Sequence, residues 1–133
     1  MREALRKCRR IEAVQDQLHR RAEAEAARLE RALADVDAER RAVLAAMSHE
    51  DFAPLMIAAA ARRLRGLDAE MARLRAELEA QRARVREAAI RLKLAEGLSE
   101  KAGVQARAHD ERRALDEALE AAVARSHASF PPA

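Results

Sequence analysis

The sequence predicts an all-α protein: two long helices forming an antiparallel coiled-coil hairpin, with the second helix longer than the first. Three observations predict it. The 133 residues are 37% charged and 2% aromatic, with three Gly, three Pro and no Trp or Tyr, so Ala, Arg, Glu and Leu carry the chain. From Ile57 to Ala95 an apolar residue recurs at alternating spacings of three and four, and Gln81 is the exception in that line. This spacing returns to one side of an α-helix every two turns and, held over many heptads, makes a coiled-coil seam. A strand cannot use it, because strand side chains alternate with period two. Finally, the chain has one strong break before its C-terminal region, SHEDFA followed by Pro54.

Residues 2–47 form the first predicted helix, free of Gly and Pro. Its expected stripe is Leu5, Cys8, Ile11, Val14, Leu18, Ala22, Ala26 (or Glu25), Leu29, Leu33, Val36, Arg40, Val43 and Met47. The step from Leu18 to Leu29 predicts a local relaxation of the supercoil. Residues 48–53 are the turn. Proline pushes its predecessor out of α geometry yet suits a first helical turn, with Asp51 or Ser48 as the expected N-cap. Phe52, Leu55 and Met56, with Ile57, fall at the hairpin tip. They either seal its end or form an exposed apolar docking tip.

Residues 54–126 form the second predicted helix, and 127–133 a disordered tail. The whole chain, 1–133, reads as one coiled-coil domain. A fold at residues 50–51 sets Leu33 against Leu67, Leu29 against Met71 and Ala26 against Leu74. The first helix then ends opposite residue 99. Gly97 and Gly103 each lower helix propensity by roughly 1 kcal/mol there. The apolar line is expected to shift register at that point, to Leu94, Leu98, Lys101, Gln105, Ala108, Arg112, Leu115, Leu119 and Ala122. The stretch from Glu100 to Arg125 should therefore protrude and bind a partner. Its apolar residues are Val104, Leu115, Leu119 and Val123, with Arg112, Arg113, Asp116 and Glu117 as the expected polar rim.

Composition argues against several classes. His19, His49, His109 and His127 are scattered, and none shares metal-ligand spacing with another or with Cys8. No Gly-rich phosphate loop is present, and a two-helix hairpin offers no pocket for a catalytic constellation. The chain reads as a non-enzyme without a cofactor. Its only cysteine, Cys8, excludes an internal disulfide and fits a reducing compartment. No apolar run is long enough to span a membrane, and the N-terminus lacks a secretory signal's apolar segment, so a cytoplasmic protein without membrane insertion is expected. The net charge is +3. The basic clusters at Arg6–Arg10, Arg62–Arg65 and Arg82–Arg86 are interspersed with acids, and aromatics for stacking are nearly lacking. A solvated helix face is therefore favoured over nucleic-acid binding.

The N-terminal LRKCRRIEAVQDQLHRRAE (Leu5 to Glu23) and the C-terminal DERRALDEAL (Asp110 to Leu119), set in a short two-helix chain, resemble the FliJ and YscO-like stalk proteins of flagellar and type III secretion export. The turn SHEDFAP and the scarcity of aromatics depart from that family. The resemblance implies a stalk or chaperone escort that binds the hexameric export ATPase, the export gate or export chaperones. Such a protein is cytoplasmic and peripheral at the inner membrane through its partners. The alternatives are a structural coiled-coil scaffold or adaptor, homodimeric in one version, and a weak nucleic-acid binder.

Overall fold

A computed structural model of the chain describes residues 1–128. Two helices, α1 (Arg2–Met47) and α2 (Pro54–Ala128), make up almost all of it, with α2 the longer and packed against α1. The second helix continues two residues beyond the expected 126. The rest of the expected tail lies outside the described residues. Contacts divide the chain into two units, one of Gln17–Ile90 and one of Met1–Asp16 with Arg91 onward.

At the turn, Ser48 does not cap α2. Its hydroxyl donates backward to the Leu44 carbonyl (3.1 Å), and its N–H bonds Ala45 O, closing α1. Asp51 lies 3.7 Å from His49 Nδ1 instead of over the first turn of α2. Pro54 opens α2 at the position where a missing N–H costs nothing. The Ala53 carbonyl accepts the Met56 N–H.

The Gln17–Ile90 unit holds the core. Ala26, Leu29 and Val36 of α1 bury against Leu67, Met71, Leu74 and Leu78 of α2, flanked by Ala32, Leu33, Val43 and Val85. Leu67 is wholly enclosed, at 0% exposure. Grooves along this seam set Leu33 beside Leu78, and Ala26 beside Val85. These neighbours stand 11 residues, about one and a half heptads, further along α2 than Leu67 and Leu74, the partners expected from a fold at 50–51.

In the other unit, Arg2 reaches Asp110 (3.1 Å), and Leu5 Cδ1 lies 3.9 Å from where a Cβ on Gly103 would sit. α1 therefore covers α2 as far as Asp110, not 99. Residues 111–128 are all exposed.

The expected register breaks are absent. Along α2 the covered positions are Ala88, Leu92, Ala95, Ser99, Ala102 and Ala106, with Gly103 beside them, and the alternation of three and four is unbroken. Along α1 they are Leu5, Cys8, Glu12, Gln15, His19, Ala22 and Ala26, again unbroken. Ile11, Val14 and Leu18, expected in the stripe, are exposed, and so are Leu94, Leu98, Lys101, Gln105 and Ala108. A continuous helix whose seam is locked by interdigitated large residues carries that register onward, even where the next inward residues are small or polar.

Candidate functional site

The candidate site is the second apolar face of α2, built by the same helical period as the first. In the unit containing residues 91–128, α2 has two heptad lines. One, Ala95–Ser99–Ala102–Ala106, lies under α1. The other, Leu94, Leu98, Lys101, Gln105, Ala108, Arg112, Leu115, Leu119 and Ala122, is exposed along its whole length. At about 100° per residue the second line, one residue behind the first, lies roughly a quarter turn round the helix from it, on its flank. Beyond Leu92 the line toward α1 holds only Ala and Ser, with Gly103 beside it, whereas Leu94, Leu98, Leu115 and Leu119 stay uncovered. Leu94 and Leu98 are 65% and 58% exposed, and Leu115 and Leu119 are 60% and 56%.

The residues expected to form the partner-binding element divide between the two sides. Leu115, Leu119 and Arg112 lie in the uncovered line. Val104, Val123 and Asp116 flank it, and all six are exposed. Arg113 and Glu117 continue the Ala106–Asp110 side of the helix and stand 3.9 Å apart as an i,i+4 ion pair. The expected element also omits Leu94 and Leu98 and begins its exposed end too early, since Glu100 and Gly103 border the α1 N-terminus. In the sequence this line from Leu94 reads as a shift of register, not as a second face beside the first.

At the tip, Leu55 is 90% exposed and Met56 and Ile57 are about half exposed, while Phe52 is partly covered.

Several other polar groups are engaged within the fold. Gln81, buried in the seam, donates from Nε2 to the Ala22 carbonyl (3.1 Å) and accepts from Arg84 (3.1 Å). Arg63, Arg40 and Arg82 pair with Glu39, Asp68 and Glu30 across the two helices. The Arg28 side chain hydrogen-bonds to Glu25 (2.9 Å from Nε) and holds its carboxyl below the ordinary range. An open groove of about 430 Å³ between the ends of α1 and the covered side of α2 is lined by Arg2, Arg6, Arg9 and Arg107 together with Glu100 and Asp110, a mixed-charge surface. Among the described residues, no group of three or more His, Cys, Asp or Glu could hold a metal ion. Among them too, no helix is long and apolar enough to cross a membrane.

Comparison with protein-family models, curated proteins and solved structures found no match.

Proposed function

We propose that α1 and α2 form an antiparallel coiled-coil hairpin and that the chain is a non-enzymatic docking protein, acting as a stalk or chaperone escort in a flagellar or type III export apparatus. The antiparallel arrangement is supported by ion pairs that climb one helix as they descend the other, Glu39 with Arg63 and Glu30 with Arg82. Cysteines replacing Glu30 and Arg82, in a Cys8→Ser background, cross-link within one molecule if the hairpin is right. A cross-link found only between molecules rejects it.

The docking role rests on one observation, the uncovered leucine line of α2 from Leu94 to Leu119, continuing past the end of α1. Large apolar residues aligned over several turns on a charged helix mark a protein-binding face. The assignment to an export apparatus, with the export ATPase as first partner and the gate or chaperones as others, rests on the resemblance of Leu5–Glu23 and Asp110–Leu119 to export stalks. In this reading the protein works in the cytoplasm and reaches the membrane through its partners. Pull-down of a purified export ATPase by the full chain tests it. Binding lost on Leu115→Asp with Leu119→Asp, with hairpin melting unchanged, supports the reading. Absence of binding by the unaltered chain rejects it in favour of a scaffold or adaptor outside export.

A further inference from the structure

The uncovered line is not uniformly apolar. Leu94 and Leu98 form one end and Leu115 and Leu119 the other. Between them lie Lys101, Gln105, Ala108 and Arg112. Lys101 and Arg112 are about 16 Å apart along the axis at about 1.5 Å per residue. Both are exposed, and neither has an ion-pair partner among the described residues, although Arg2 and Arg113 of the same unit are each paired. The face thus presents two leucine pairs separated by two unneutralised cations.

Resting on the reading that this face binds a protein, we infer that it docks one amphipathic helix of a different protein, apolar at both ends and acidic at its centre, and that it rejects a second copy of this chain. A helix laid along the face covers Lys101 and Arg112 on its way from one leucine pair to the other. Covering an unpaired cation is costly, and a carboxylate opposite each cation removes that cost.

A second copy cannot supply those carboxylates. In a parallel pair, Lys101 faces Lys101 and Arg112 faces Arg112. In an antiparallel pair with the leucines in register, Leu94 meets Leu119, Leu98 meets Leu115, and Lys101 meets Arg112. Like charges at core positions oppose association and set partner choice. An overlap confined to Leu115 and Leu119 avoids the clash. It buries too little to approach the roughly 800 Å² per partner of a stable interface.

Two measurements on the full chain test the inference, with circular dichroism confirming that each variant folds. In sedimentation velocity the unaltered chain is expected to be a monomer. Lys101→Glu, which sets a carboxylate opposite Arg112 in the antiparallel pair, is expected to be a dimer. An unaltered chain that dimerises, and is made monomeric by Leu94→Gln with Leu98→Gln, overturns the inference, as does a Lys101→Glu chain that stays monomeric. The second measurement uses two synthetic helical peptides with leucines opposite both leucine pairs and either Glu or Lys opposite positions 101 and 112. The Glu peptide is expected to bind at least about tenfold tighter, by an amount that shrinks with salt, and to lose binding to Leu115→Gln with Leu119→Gln. Equal binding of both peptides, or binding of neither, overturns the inference. An export ATPase that fails to bind leaves these readouts untouched, so the two readings fail separately.

Discussion

The two units of this chain use the same heptad with opposite results. Within Gln17–Ile90 the inward line of α2 carries large side chains, and Leu67, Met71, Leu74 and Leu78 are enclosed by α1. Within the unit that holds residues 91–128 the inward line is Leu92, Ala95, Ser99, Ala102 and Ala106, and Leu94, Leu98, Leu115 and Leu119 stay exposed. Both carry a helix–helix seam, but one spends its leucines on stability and the other leaves them for something else. The teaching is that hydrophobicity alone does not choose the buried face of a long helix. The register set by the best-packed segment chooses it, and residues further along take the face they are given.

The largest expected effect lies in the first unit. Leu67→Ala should cost about 2–5 kcal/mol in chemical denaturation, because a fully enclosed side chain is removed from a packed seam. Leu98→Ala, on the outward face of the other unit, should stay within about 0.5 kcal/mol. Equal losses would erase the contrast between the units.

Gln81 sharpens the comparison at the point where a polar residue occupies the core line. Its bond to the Ala22 carbonyl fixes the stagger of the helices, a role that polar core positions play at some cost in stability. Gln81→Leu should raise stability by about 1 kcal/mol. In the same variant, cross-linking between positions 30 and 82 should spread to neighbouring pairs. A destabilised variant with unchanged cross-linking would show that Gln81 is an ordinary packed residue.

Gly97 tests the outward side of the second unit. A Cβ there meets nothing within 4 Å. Gly97→Ala should therefore add roughly 0.5–1 kcal/mol by helix propensity and reduced unfolded-state entropy. A loss of stability in thermal melts would place an unseen contact on that face.

The smallest effect is a pH dependence in the first unit. Arg28 lowers the Glu25 pKa, so the folded state binds that proton less readily than the unfolded one. The contribution is complete above the ordinary carboxyl range and is lost as pH falls through the lowered value. NMR titration should place Glu25 below the ordinary carboxyl range, and Arg28→Gln should return it to that range.

Much of the architecture was legible in the sequence. The three-and-four line through Leu67 and Leu78, the break at 48–53 and Pro54 are strong local signals, and the two helices and the longer second one follow from them. The ends were not legible for a physical reason. Ile11, Val14 and Leu18 outrank Glu12, Gln15 and His19 in hydrophobicity, so a reading by residue type selects the wrong face of α1. On α2, Leu94 and Leu98 begin a second heptad beside the first. A pattern search sees a slip where the helix has two faces. The reach of α1 to Asp110 was missed because the turn residues were counted as paired. Of the candidate site, Leu115, Leu119 and Arg112 were legible as a helical line.

The account rests on the claim that the leucines of residues 91–128 belong to a docking face and not to the fold. Leu94→Gln with Leu98→Gln tests this most directly, since Gln has nearly the helix propensity of Leu. The account predicts unchanged helicity by circular dichroism and a stability within about 0.5 kcal/mol of the unaltered chain, whereas Leu74→Gln with Leu78→Gln should unfold the first unit. A double variant at Leu94 and Leu98 that loses stability as severely as the one at Leu74 and Leu78 would contradict it.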